Sequence, residues 1–198
     1  MTILLVMVGY LTGSVPCAWL LGRRRGTPDL RTVGSGNVGA TNLLRVSGSR
    51  AAALAVALDV AKGAVPVALA RGAGATVAVA SAVGVAAILG HVYPCWLAFR
   101  GGKGVATTCG AFGVLAPVAT LAAFAVFAVT VLATRYVSAG SVLAVLALGP
   151  LAAVTGSPGS TVVAGLMATG LVVFRHRANL VRLAAGTERR LGGPTGNG

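Results

Sequence analysis

Long apolar stretches separated by short polar segments run through the chain. A helical residue rises about 1.5 Å and the hydrocarbon core of a bilayer is about 30 Å thick, so a crossing needs about 20 mostly apolar residues. The pattern predicts an all-α bundle of transmembrane helices that forms a single domain over residues 1–198. The candidate spans cover residues 3–21, 51–70, 73–89, 105–116, 118–134, 141–154 and 161–174.

The uncharged stretch 105–134 is too long for one upright helix and short for two. Basic residues of membrane proteins accumulate on the cytoplasmic side. Arginines mark both the loop after the first span and the tail after residue 174 as cytoplasmic. Only two crossings, broken near Pro117, keep both segments on one side. We therefore predict seven spans, with the N-terminus outside and the C-terminus in the cytoplasm.

The composition supports a membrane protein and changes the picture of its partners. Hydrophobic residues make up 56% of the chain, charged residues only 10%, and the formal net charge is +13. Nucleic acid is excluded as a partner, because that function needs a basic reading surface on a soluble fold. A cationic surface beside apolar spans instead favours the anionic inner leaflet. The three cysteines lack metal-ligand spacing, so no metal site is predicted.

The first polar cluster covers residues 34–45 and reads GSGNVGATNLLR. Its glycines match the spacing of a dinucleotide-binding loop, but no strand is predicted before them, which excludes that fold. Glycines let backbone N–H groups approach an anion, and hydroxyl, amide and guanidinium groups add donors. We predict phosphate binding by Gly34, Ser35, Gly36, Asn37, Thr41, Asn42 and Arg45.

The second polar cluster covers residues 90–104 and ends in the sequence RGGKG. It fails the P-loop pattern because Leu97 stands where the leading glycine should be. Successive glycines can still form an amide nest, and the following helix offers its N-terminus to an anion. The alternative is a flexible loop with interfacial basic side chains. The phosphate-binding candidates are Gly101, Gly102, Lys103 and Gly104.

The third polar cluster covers residues 176–188 of the tail. His176 and Asn179 share one face if the last helix continues into the cytoplasm, although a single histidine is also common as an interfacial side chain. Ser138 and Ser141 begin the sixth span at the same predicted depth. They are candidates for substrate binding or for capping the helix N-terminus.

Three acidic residues have distinct predicted places. Asp59 and Lys62 lie three residues apart inside the second span, which favours a structural ion pair. Asp29 and Glu188 are the only predicted cytoplasmic acids, too few for a site that binds phosphates through Mg²⁺. The clusters together predict a site for two phosphorylated molecules, at least one of them attached to lipid.

Three segments resemble the signature motifs of the bacterial acylphosphate-dependent glycerol-3-phosphate acyltransferases. They read GSGNVGATNLLR, GHVYPCWLAFRGGKGVATTCG and HRANLVRLAAGTE. The likeness extends to the early GSVPCAW segment, to Asp59 with Lys62 and Gly63, and to RYVSAGS. Arg100 departs from the lysine that is common before the glycines, but it supplies the same charge.

The resemblance implies acyl transfer from acyl phosphate to the 1-hydroxyl of glycerol 3-phosphate, giving lysophosphatidic acid and phosphate. It implies a phospholipid-synthesis enzyme of the bacterial cytoplasmic membrane, with its site facing the cytoplasm and with neither cofactor nor obligatory protein partner. The motif positions imply catalytic roles for Ser35, Arg45, Lys103, His176 and Asn179. Glu188 matches a structural position.

Two other classes of function remain as alternatives. Many apolar spans with intramembrane Asp59 and Lys62 also suit a carrier of an anionic metabolite, although a carrier does not explain polar motifs on one side. A thioester-dependent acyltransferase typically carries an H-x-x-x-x-D pair. His91 is followed five residues later by Trp96, so that pair is absent at this position.

Overall fold

The computed structural model describes residues 1–193, which form nine α-helices and one 3₁₀ turn without a β-strand in that range. The predicted all-α class is therefore confirmed. The 3₁₀ turn covers Cys95–Leu97. The α-helices are α1 Thr2–Gly13, α2 Cys17–Arg24, α3 Ala40–Gly72, α4 Val77–Val92, α5 Val105–Leu115, α6 Pro117–Thr134, α7 Val137–Val154, α8 Gly159–Arg175 and α9 Arg177–Ala184.

Five helical segments among the described residues are long and apolar enough to cross a membrane, and the bent pair α8 and α9 is a sixth candidate. Helix α5 has 11 residues, which rise about 16 Å, roughly half of a bilayer core. The multi-pass membrane architecture is thus confirmed, whereas the count of seven crossings stays a prediction. The segments are Thr2–Arg24, Ala40–Gly72, Val77–Leu97, Pro117–Thr134 and Val137–Val154.

Two predicted breaks can be compared with the observed helix ends. Helix α5 ends at Leu115 and α6 begins at Pro117, with non-helical backbone at Ala116, so the predicted break near Pro117 is confirmed. Proline suits the first position of a helix because its missing N–H needs no partner there. The spans predicted at residues 51–70 and 73–89 placed their connection at residues 71–72, which is wrong, because α3 continues through Gly72 and the connection occupies residues 73–76.

The described chain divides into two compact units, one from Met1 to Leu115 and one beginning at Ala116. The first unit contains α1 to α5, and the second contains α6 to α9. Each unit carries part of the predicted polar chemistry. The single-domain organisation predicted for residues 1–198 stays a prediction.

Close helix contacts through glycine build the first unit. A Cβ atom on Gly63 of α3 would overlap the carbonyl oxygen of Thr107, and one on Gly110 of α5 would overlap that of Val60. Small residues let helix backbones approach in a membrane, where lipid supplies no hydrophobic force between helices. The crossing of α3 and α5 therefore depends on these two glycines.

In the second unit, α7 packs against both α6 and α8. Most of α6 faces outward, since only 11% of its apolar window is buried. The hydroxyl of Thr169 on α8 donates a hydrogen bond to the carbonyl of Val145 on α7. An apolar outer face with polar contacts turned inward is the pattern expected of helices in lipid.

Candidate functional site

The first polar cluster is organised around the buried side chain of Asn42. Its Oδ1 accepts a hydrogen bond of 2.8 Å from the backbone N–H of Ser35. Its Nδ2 donates to the carbonyl oxygens of Leu30 and Val33, each at 3.0 Å. Both polar ends of this amide are thus engaged with the backbone, so Asn42 holds the turn that presents Ser35. The sequence predicted that Asn42 binds phosphate directly, but it did not predict that Asn42 is buried and supports the backbone of the cluster.

The exposed face of the same cluster consists of the residues around Ser35. Gly34 and Gly36 have φ angles of +63° and +68°, values that favour glycine. A Cβ atom on Gly34 would also overlap Oδ1 of Asn42. Gly34, Ser35, Gly36 and Thr41 are exposed, Asn37 and Arg45 are half-buried, and Asn37 Oδ1 accepts no hydrogen bond from residues 1–193.

Asp29 braces the segment before this cluster, a role that the sequence did not predict. Its carboxylate accepts hydrogen bonds from Nε of Arg31 at 3.0 Å and from the terminal guanidinium nitrogen at 2.6 Å. These bonds and a further one from the Arg31 backbone lower the pKa of Asp29 to about 2. Asp29 is therefore an ionised partner of arginine and not a group that releases or accepts protons near neutral pH.

The glycines of the second polar cluster have a different role from the predicted one. The N–H groups of Gly101 and Gly102 donate to the carbonyl oxygens of Val92 and His91, both at 3.1 Å. The predicted amide nest is therefore wrong for these two residues, because their donors are already used within the chain. Gly104 has a φ of +90°, and α5 begins directly after it, as predicted.

A group of buried charges lies next to this cluster. Nζ of Lys62 is 2.8 Å from Oδ1 of Asp59, so the predicted ion pair is present. Nζ also donates to the carbonyl of Val15 at 2.7 Å, in the break between α1 and α2. The sequence missed His91, whose Nδ1 lies 3.6 Å from the same carboxylate oxygen. All three ionisable side chains are buried, which makes their mutual compensation essential.

The two clusters of the first unit line one small pocket. Val38 comes from the first cluster, and Gly101 and Gly102 come from the second. The pocket encloses about 210 Å³, counting the part open to solvent, and Asp59, Lys62 and His91 are in its wall. The folding of this unit therefore brings together two segments that lie far apart in the sequence.

In the second unit, the carboxylate of Glu188 accepts hydrogen bonds from three polar side chains. Its Oε1 accepts hydrogen bonds from Ser138 Oγ at 2.8 Å and from Asn179 Nδ2 at 2.6 Å. Its Oε2 accepts one from Nε of Arg182 at 2.7 Å. Burial raises the pKa of Glu188, but these donors together outweigh that effect and lower the pKa below its ordinary value. Ser138 thus contacts the tail and does not cap α7.

His176 is 2% exposed and stands at the junction of α8 and α9, where the helix axis bends by 59°. Helices α8 and α9 therefore do not form one continuous helix, which was the condition for predicting that His176 and Asn179 share a helix face. Nδ1 of His176 lies 2.8 Å from the carbonyl of Val172. Because a carbonyl only accepts hydrogen bonds, Nδ1 must carry the proton, which leaves Nε2 as the basic nitrogen of the neutral ring.

The hydroxyl of Ser141 donates a hydrogen bond to the carbonyl of Val137, one turn earlier in α7.

No group of three or more His, Cys, Asp or Glu side chains able to hold a metal ion occurs in residues 1–193. Beside the three carboxylates, each of which is paired with a cation, the polar groups on the two units are cations, amides, hydroxyls and imidazoles. Such groups bind phosphate directly, through charge-assisted hydrogen bonds. The arrangement in each unit therefore fits a phosphorylated ligand.

The sequence resembles proteins named glycerol-3-phosphate acyltransferases over nearly its whole length. A glycerol-3-phosphate acyltransferase of Rubrobacter xylanophilus is 45% identical over 197 residues, 99% of this chain and 98% of the relative. A glycerol-3-phosphate acyltransferase of Myxococcus xanthus is 47% identical over 200 aligned positions, which cover 96% of this chain and 100% of the relative. Glycerol-3-phosphate acyltransferase 1 of Deinococcus radiodurans is 44% identical, with 96% of each covered.

The fold has similarly close counterparts. Two crystal structures of PlsY, an integral membrane glycerol 3-phosphate acyltransferase, match this chain. The glycerol 3-phosphate form gives a TM-score of 0.92 at 37% identity, covering 96% of both chains. The lysophosphatidic acid form gives 0.90 at 35% identity, covering 96% and 95%. Since the glycerol-3-phosphate acyltransferase family model also matches residues 3–186, this chain belongs to the glycerol-3-phosphate acyltransferase family.

Proposed function

We propose that this membrane acyltransferase moves an acyl chain from acyl phosphate to the 1-hydroxyl of glycerol 3-phosphate, forming lysophosphatidic acid and inorganic phosphate. The observation that carries the proposal is the match to PlsY in its glycerol 3-phosphate and lysophosphatidic acid forms, each of which covers 96% of this chain. These two molecules differ by the acyl group that the reaction adds. The polar groups of both units, which suit phosphate, support the same assignment.

The proposal names acyl phosphate as the acyl donor. Acyl phosphate is already activated, because phosphate is a good leaving group. The glycerol hydroxyl oxygen bonds to the acyl carbon, the bond from that carbon to the phosphate oxygen breaks, and the hydroxyl proton passes to a base. No covalent intermediate on the enzyme is needed, so orientation and charge stabilisation suffice. This demand fits the cationic and amide side chains present.

The proposed residue roles follow from where each side chain lies. Ser35 and Arg45 bind one substrate phosphate, with Asn42 acting indirectly by holding the Ser35 turn. Lys103 supplies a positive charge to the second phosphate. The other binding candidates are Gly34, Gly36, Asn37, Thr41, Gly104, Ser138 and Ser141.

The tail contributes the remaining proposed groups. Asn179 and His176 stabilise negative charge developing on the acyl oxygen, and Glu188 supports them structurally through its hydrogen bond to Asn179. The proton acceptor is either Nε2 of His176 or an oxygen of a substrate phosphate. Asp59 and Lys62 act structurally.

We also propose seven crossings of the bacterial cytoplasmic membrane, with the N-terminus outside and the active site facing the cytoplasm. The arginine distribution supports this topology. Helix α5 is short, but it packs against α3 and α4, and irregular backbone at membrane depth is tolerated where protein surrounds it. Labelling single cysteines along residues 105–134 from each side tests it. Labelling of residue 116 only from the cytoplasmic side would contradict two crossings.

A donor assay tests the reaction. Purified protein in detergent receives radiolabelled glycerol 3-phosphate with either palmitoyl phosphate or palmitoyl-CoA, and the lipid product is separated. We expect lysophosphatidic acid with acyl phosphate alone. Product formed only with the thioester would overturn the proposed donor. Absence of product with both donors, combined with uptake of a metabolite into liposomes, would favour a carrier instead.

A further inference from the structure

His91 connects the buried charges to residues 100–104 of the second polar cluster. It lies in the last turn of α4 and is 8% exposed. On one side, Nδ1 of its ring lies 3.6 Å from Oδ1 of Asp59, which in turn holds Lys62 at 2.8 Å. The ring therefore lies within ion-pair distance of a carboxylate on α3. Lys62 also donates a hydrogen bond to the carbonyl of Val15, which lies in the break between α1 and α2.

On its other side, the same residue supports the glycines before Lys103. The carbonyl of His91 accepts the N–H of Gly102. A Cβ atom on Gly102 would overlap Nε2 of the ring, and its three nearest neighbours all belong to that ring. A Cβ atom on Gly101 would instead meet the backbone carbonyl of His91 and Cδ of Pro94. The backbone thus lies directly against the imidazole at residue 102.

We propose that His91 is a positioning residue: its ring, which lies beside the carboxylate of the Asp59–Lys62 pair, sets the path of residues 101–102 and thereby the place of Lys103. The inference rests on the proposed role of Lys103 in binding a substrate phosphate. A charged side chain stabilises a reacting phosphate only when its position is set in advance, and a displacement of about 1 Å can reduce a rate about 100-fold. The imidazole acts through the glycine backbone and does not itself contact substrate.

A double-mutant cycle tests the contact between ring and glycine. Gly102→Ala should lower kcat/KM about tenfold or more, because the new methyl group overlaps the ring. His91→Ala alone should raise the KM for one phosphorylated substrate more than it lowers kcat. Adding Gly102→Ala to His91→Ala should then cost about twofold or less, since the overlapping atoms are gone. Equal costs of Gly102→Ala in the two backgrounds would overturn the proposal.

Gly101→Ala is the matched control for that cycle. Its overlap is with backbone and with Pro94, so His91→Ala should not relieve it, and its cost should be the same in both backgrounds. Relief of both glycine variants by His91→Ala would mean general loosening and would also contradict the proposal.

Trypsin cleavage gives a readout that does not depend on activity. Arg100 and Lys103 are cleavage sites within the segment that His91 supports. In detergent, His91→Ala should speed cleavage at these two residues but not after Arg24 on α2. Unchanged cleavage would overturn the positioning role. If the unaltered protein makes no lysophosphatidic acid, the proposed function fails, while this cleavage experiment still decides the structural inference.

Discussion

The side-chain amide of Asn179 donates a hydrogen bond of 2.6 Å to Oε1 of Glu188, nine residues further along the chain. The same oxygen accepts the hydroxyl of Ser138 on α7. One carboxylate thus fixes the orientation of a proposed catalytic amide and joins the tail to a transmembrane helix. A displaced carboxylate would affect both the stability and the reaction.

Replacing Glu188 should make stability depend on pH in a defined way. The pKa of Glu188 lies below its ordinary value of 4.5 in the folded protein, so the ionised form stabilises the fold above about pH 4.5. That contribution is lost as the pH falls through the lowered folded pKa. Glu188→Gln should therefore reduce the unfolding temperature by about 5 °C at pH 7. The difference should shrink below pH 4.5, as measured by thermal unfolding in detergent; a constant difference would contradict this assignment.

Asn179→Ala should reduce turnover by about 100-fold or more, the typical cost of losing a group that stabilises developing negative charge. The variant should still accumulate in the membrane, because α9 retains its other contacts. Val181→Ala is the control, since Val181 lies on the same helix and is 70% exposed. Initial rates of lysophosphatidic acid formation measure the effect. Near-normal turnover by Asn179→Ala would remove Asn179 from the catalytic groups.

Lys62→Met should destabilise the protein by about 3–5 kcal/mol, because it leaves the buried carboxylate of Asp59 without its closest cation. Combining Lys62→Met with Asp59→Leu should restore most of that stability, since a pair of apolar side chains replaces the ion pair. Recovery should be incomplete, because the carbonyl of Val15 still lacks the donor that Lys62 provides. Thermal unfolding in detergent compares the variants. A double variant as unstable as Lys62→Met would contradict the ion-pair explanation.

Gly110→Ala should destabilise the crossing of α3 and α5. Its methyl group would overlap the backbone of Val60, which cannot move aside as a flexible side chain can, and overpacking typically costs about 1–3 kcal/mol. Gly113→Ala on the same helix meets nothing within 4 Å, so it should be neutral or stabilising by about 0.5–1 kcal/mol. Equal unfolding temperatures for the two variants would refute this account of the crossing.

Several features were determined by the sequence alone because they depend on local chain properties. Apolar length predicted the five helical segments of residues 1–193 that are long enough to cross a membrane. Pro117 marked the break between α5 and α6, since proline favours the first position of a helix. The order and length of the three motifs identified the family. Spacing of three residues predicted the pair of Asp59 and Lys62, because such residues are neighbours on a helix.

Only the tertiary structure decided which distant groups meet. Ser138 and Glu188 are fifty residues apart, and His91 reaches Asp59 from another helix. No local pattern encodes such distances, because they depend on how helices cross and where backbones approach. For the same reason, the sequence predicted Gly102 as part of an anion-binding nest. The fold shows instead that the His91 ring occupies the space that a side chain at residue 102 would need.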